Sequence, residues 1–162
     1  VERSEITIDR VELTSAVARA AIAEAEAELD RRYGPGTNQE HLDPVVFEPP
    51  RGAFLVARST DRLLGGVGLR SIGPGIGEIK RLWVDDGARR LGIGSALMAA
   101  AEAEAVALGM GLVVLETGPL QPEAVALYAS QGWEVVDELP VRVSDYPNAI
   151  GFLKRYEDAT RS

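Results

Sequence analysis

The stretch that most limits what this chain can fold into runs from residue 78 to residue 117. It opens with EIKRLWV (78–84) and crosses a junction, DDGARRLGIGS (85–95). Ile93, Leu97, Ala101, Ala105 and Leu108 then recur at helical spacing, and the stretch ends in GLVVLET (111–117). A strand, a helix over 92–108 stopped by Gly109, and a second, buried strand make a βαβ unit. The two strands are therefore predicted to be parallel neighbours joined by a right-handed crossover.

The remaining segments surround that unit with antiparallel pieces. EITIDRV (5–11) alternates like a short strand. The segment 13–32 predicts a helix capped by Thr14 or Ser15, with Ala18, Ile22, Ala25 and Leu29 on one face. Its acidic run EAEAELD (24–30) reads as a solvated face and not a metal site. Residues 33–52 form a long loop rich in proline and glycine, with one short helical turn. AFLVARS (53–59), LLGGVGLRSI (63–72) and EIKRLWV make a three-stranded meander. Period-two alternation would place Glu78, Lys80, Leu82 and Val84 on one face of the third strand and Ile79, Arg81 and Trp83 on the other. PEAVALYASQG (122–132) predicts a helix between Pro122 and Gly132. WEVVDEL (133–139) and NAIGFLKRYE (148–157) predict closing strands around a loop containing SDYP. The expected class is α/β (α+β), one domain over 1–162 with a sheet covered on both faces.

Composition removes several chemistries. The chain has no cysteine, which excludes disulfides, thiolate metal ligands and a covalent intermediate on a thiol. One histidine, His41, argues against a zinc site or a histidine-centred triad and reads as a solvated loop residue. A formal charge of -8 disfavours a nucleic-acid partner. No apolar run is long enough to span a membrane, and no signal-peptide pattern is seen, so a cytoplasmic protein is expected.

The junction at 85–95 is the strongest chemical signal. The first turn of a helix presents unpaired N–H groups and the positive end of the helix dipole. Gly92 and Gly94 leave that turn bare, and Arg89 and Arg90 add cationic donors, a combination suited to a phosphate or pyrophosphate. The residues equally describe a glycine-loosened helix start with solvated arginines. Two known phosphate loops do not fit. Ser95-Ala96 stands where a P-loop needs lysine and a hydroxyl residue, and Leu97 stands where a dinucleotide fingerprint needs Gly or Ala.

At this point the chain resembles the GNAT N-acetyltransferase superfamily. RRLGIG (89–94) matches its Gln/Arg-x-x-Gly-x-Gly/Ala signature after the fourth strand. PEAVALYASQGWEVV (122–136) is similar to the later motif in which a helix ends Leu-Tyr-x-x-x-Gly-aromatic. Element order agrees over nearly the whole chain, and motif similarity is concentrated in 77–136.

The resemblance implies a mostly antiparallel mixed sheet of six to seven strands, splayed in a V between the two central parallel strands. It implies acetyl-CoA as donor, no metal, and a pyrophosphate on the N–H groups of Arg89, Arg90, Leu91, Gly92, Ile93, Gly94 and Ser95. Leu82, Trp83 and Val84 are where the resemblance expects a backbone donor to the thioester carbonyl. Tyr128 corresponds to the family tyrosine that donates to the CoA sulfur; its spacing alone also describes a helix-face aromatic. Glu78 corresponds to a common general base acting through water, and otherwise pairs with Lys80 or Arg81. Glu116, Tyr33 and Tyr146 are expected around the acceptor. Thr117 and Gly118 stand where many members carry asparagine, which alters the local hydrogen bonding.

The expected activity is direct acetyl transfer to the primary amine of a small molecule, with a homodimer formed through the final strands. A non-catalytic acyl-CoA sensor and an acetyltransferase of protein N-termini or lysines are the rival readings.

Overall fold

The computed structural model describes residues 5–36, 43–60, 62–144 and 148–156. Ser15 takes an extended backbone and its Oγ accepts from Ala18 N at 3.2 Å, which starts α1 at Ala16–Tyr33. Ala18, Ala21 and Ala25 are its buried residues, while Ile22 and Leu29 are half-buried. The small side chains let the helix lie close to the sheet. The turn expected in the following loop is a 3-10 turn, Pro44–Phe47, capped by Asp43.

The strands are β1 (Ile6–Val11), β2 (Gly52–Ser59), β3 (Arg62–Gly73), β4 (Ile76–Val84), β5 (Leu112–Thr117), β6 (Glu134–Val136) and β7 (Ile150–Arg155). They form one sheet in the order β1-β2-β3-β4-β5-β7-β6, antiparallel except for the central β4–β5 pair. This is the mixed α/β sheet expected from the sequence. Helix α2 (Ile93–Ala107) connects the parallel pair, and Gly109, at φ 78, follows its end. Helix α3 (Pro122–Ser130) starts on proline, which loses no intrahelical bond at that position.

Two apolar layers hold the sheet. On one face, α2 buries Leu97, Met98, Ala101 and Ala105 against Leu64, Val67, Val113 and Leu115. On the other, α1 and Phe47 cover Phe54 and Val56. Each fully buried leucine, phenylalanine or methionine contributes about 1.5–3 kcal/mol.

The sixth strand is shorter than the predicted 133–139. Val136 pairs with Gly151, one residue from the start of β7, so the ladder runs out there. The chain then turns over the sheet, and a Cβ on Gly151 would lie 2.9 Å from Leu139 Cγ. Among the described residues no helix is long and apolar enough to cross a membrane.

Candidate functional site

β4 and β5 pair only through Ile76↔Leu112, Gly77↔Val113 and Glu78↔Val114. Beyond that ladder β4 continues to Val84 and β5 to Thr117, and the two diverge. Paired strands lie about 4.8 Å apart, so the lost ladder opens a wedge with main-chain groups along its sides.

A bulge in β4 shapes the wedge. Its register with β3 passes from Gly68↔Lys80 to Gly66↔Trp83, and Arg81 has φ 58. The extra residue reverses the alternation expected from the sequence. Leu82 and Val84 join Ile79 against the α2-side core. Arg81 instead reaches toward Glu26 of α1, 4.0 Å away, on the side that also holds Glu78 and Lys80. Trp83 faces that way too, because a Cβ on its partner Gly66 would meet Ala21 of α1.

A cleft of about 350 Å³ opens on this side. Glu28, Leu29 and Tyr33 of α1 form one wall, and Glu78, Lys80, Arg81 and Leu82 of β4 form the floor. Glu116, Thr117, Gly118 and Gln121 form the opposite wall, with Ser144 at the rim. Val113 and Leu115 pack in the α2-side core, so alternation directs Glu116 to the face of Glu78.

Glu78 is 2% exposed, and its Oε1 accepts from Arg70 Nε at 2.7 Å while Lys80 Nζ stands 3.8 Å from Oε2. Its partners are thus Lys80 and a β3 residue that sequence reasoning missed. Position could have revealed Arg70, since it lies directly opposite Glu78 across the β3–β4 hairpin. Glu116 Oε2 accepts from Ser144 Oγ at 3.0 Å.

The glycine-rich junction borders the cleft without lining it. Arg90 and Gly92 both take left-handed backbone, φ 73 and 75, on either side of Leu91. Alternation of this kind turns successive N–H groups toward a common point. The ladder of α2 begins with Ala96 N donating to Gly92 O at 3.0 Å, so the N–H groups of Ile93, Gly94 and Ser95 precede it. No side chain caps this end. These features fit a pyrophosphate, which needs several converging donors and no side chain in its way. Gly94 has a second reason to be bare: a Cβ there would stand 3.2 Å from Leu127 Cδ2 of α3.

The run 24–30, expected to be solvated, contains a structural acid. Glu28 Oε1 accepts from Arg89 Nη2 at 2.8 Å and from Arg32 Nη2 at 3.2 Å. The Glu28/Arg32 spacing of four residues was the available signal. Arg89 also reaches Asp86 at 3.0 Å and stands 3.8 Å from Glu123, which itself pairs with Arg32. Burial opposes ionisation of Glu123, but the hydrogen bond from Arg32 and the charges of Arg32 and Arg89 hold its carboxyl below the usual range.

Tyr128 is 6% exposed and packs edge-on against Trp133 and Phe152, with centroids 6.5 and 5.4 Å away. Burial pushes its hydroxyl pKa still further above neutrality. Of the expected site residues, Glu78, Leu82, Glu116 and Tyr33 meet in the cleft. Trp83, Val84, Tyr128 and the junction residues do not line it, and Tyr128 and Val84 pack in and against the α2-side core. Tyr146 and His41 lie outside the described residues.

Residues 19–133 match the model of the acetyltransferase (GNAT) family. An IAA acetyltransferase of Azospirillum brasilense is 36% identical over 118 residues, 70% of this chain and 76% of that protein. A Klebsiella pneumoniae protein assigned as an acyl-CoA N-acyltransferase is 27% identical, covering 93% of this chain and 97% of its own, with a TM-score of 0.75. A PaiA N-acetyltransferase of Thermoplasma acidophilum, solved with coenzyme A, shares the fold at 18% identity, a TM-score of 0.70, and coverage of 93% and 99%.

Proposed function

Because this chain belongs to the acetyltransferase (GNAT) family, we propose that it transfers the acetyl group of acetyl-CoA directly to the primary amine of a small molecule in a ternary complex. The observation that carries this reading is the wedge between β4 and β5, which opens beside a bare, donor-rich junction and a cleft that holds Glu116. Acetyl-CoA supplies the acetyl group as an activated thioester.

The N–H groups of Arg90, Leu91, Gly92, Ile93, Gly94 and Ser95 hold the pyrophosphate, with Arg89 at their edge. Main-chain N–H groups of Leu82, Trp83 and Val84 polarise the thioester carbonyl. Fixed donors of this kind need no reorganisation as charge develops. Tyr128, protonated at neutral pH as any phenol is, donates to the leaving thiolate.

Glu116 receives the acceptor's ammonium and draws off its proton. Glu78 anchors the floor, since protonating it would forfeit the ion pair with Arg70. With no cysteine in the chain, no acetyl-cysteine intermediate arises. The bounded cleft suits a small acceptor better than a polypeptide. We place the enzyme in the cytoplasm, as a homodimer through its final strands, which sedimentation tests.

The test is release of CoA thiol from acetyl-CoA against small amines, amino acids, polyamines and peptides, with IAA included because of the Azospirillum relative. The protein contributes no thiol background. Acceptor-dependent release with small amines is expected. Release with peptides alone would assign it to protein acetylation, and tight acetyl-CoA binding without release to any acceptor would make it a sensor.

A further inference from the structure

The turn at 118–121, which forms one wall of the cleft, has little apolar anchorage of its own. Pro119 is exposed, and Leu120 is 53% exposed. Its position depends on polar ties to the end of α1. The Tyr33 hydroxyl accepts from Leu120 N at 3.1 Å and donates to Gln121 Oε1 at 3.3 Å. Arg32 Nη1 donates to Leu120 O at 2.8 Å.

Gln121 Oε1 also accepts from Gly118 N at 3.2 Å and from Thr117 Oγ1 at 3.3 Å. The amide oxygen thereby replaces main-chain pairing where β5 ends. The ring of Tyr33 fits only because Gly118 has no side chain: a Cβ there would overlap the phenol oxygen and ring.

We propose that Tyr33 is a positioning residue for acceptor selection. It clamps the turn at 118–121 through Gln121 and Leu120 and so sets the distance between the α1 wall and Glu116. The role of Glu116 in this statement rests on the amine reading above. The clamp itself rests only on the geometry of Tyr33, Gly118 and Gln121. Tyr33 acts through the turn and need not touch the acceptor.

The test compares wild type with Tyr33→Phe, which keeps the ring and removes both hydroxyl bonds. Amide hydrogen exchange of Gly118 and Leu120 is read together with titration of CoA. Acetylation of tyramine, spermidine and L-methionine gives KM and kcat. Tyr33→Phe is expected to speed exchange at Leu120 by about tenfold, the size of one lost hydrogen bond, and to leave CoA affinity within about twofold. KM values for the three amines are expected to shift unequally, with kcat moving less. Gly118→Ala, whose Cβ would overlap the Tyr33 ring, is expected to speed exchange at the same amides, and adding Tyr33→Phe to it to change Leu120 little further.

Unchanged exchange at Leu120 in Tyr33→Phe, or equal KM shifts for every amine, would overturn the proposal. Should wild type acetylate none of the amines, the small-amine reading fails, and the exchange data alone decide whether the clamp exists.

Discussion

The two sides of the wedge are built by opposite means. The side toward α2 is made by backbone: left-handed Arg90 and Gly92, a helix start with no side-chain cap, and an apolar core beneath. The side toward α1 is made by side chains: Glu78 with Arg70 and Lys80, Glu28 with Arg32 and Arg89, and Tyr33 with Gln121. A backbone device is local, because handedness and free N–H groups follow from a few consecutive residues. A side-chain device draws partners from distant segments. Arg89 meets Glu28 across 61 positions, and Tyr33 meets Gln121 across 88.

Changes on the two sides should therefore fail in different ways. The largest effect is expected from Glu78→Gln, which leaves Arg70 and Lys80 facing a neutral group in a buried setting. A loss of about 3 kcal/mol in chemical denaturation is expected, with acetyl-CoA affinity nearly unchanged in the folded fraction. Normal stability with lost turnover would instead make Glu78 the general base.

Tyr128→Phe keeps the packing against Trp133 and Phe152 and removes the proton donor. Turnover is expected to fall by about 100-fold with cofactor affinity near wild type. Full turnover would remove Tyr128 from the chemistry.

Gly92→Asp places a side chain on left-handed backbone and a negative charge at the helix start. The combined strain and repulsion come to about 2 kcal/mol, or about thirtyfold weaker acetyl-CoA binding by calorimetry. Unchanged affinity would move the pyrophosphate elsewhere.

The smallest effect belongs to Glu123→Gln. Its side chain is 47% exposed, so the pair with Arg32 is worth at most about 1 kcal/mol. Because the folded carboxyl is depressed below its ordinary value, this contribution is present above the usual carboxylate pKa and fades as pH falls through the folded one. Stability of wild type and variant should converge in acid, which denaturant titrations across pH would show.

The same contrast explains what could be read from the sequence. The helix at 93–107 and the parallel pair around it were legible because apolar period and glycine punctuation are local signals. The junction's bareness was legible for the same reason. The bulge at Arg81 was not, since nothing in EIKRLWV distinguishes a strand with one extra residue from a regular one, and the predicted alternation of Leu82 and Val84 was reversed as a result. Glu28 looked solvated because it sits in a run of acidic residues, while its partner Arg89 lies far along the chain. Glu116 was placed correctly at the end of the parallel strand, but its contact with Ser144 depends on a loop whose path no local pattern fixes.

The division of labour across the wedge can be observed directly by amide hydrogen exchange on the intact protein titrated with acetyl-CoA. Protection is expected to rise at 90–95 and along the end of β4, while amides at 118–121 change little until an amine is added. Protection confined to the α1-side cleft, with the junction unaffected, would contradict the account.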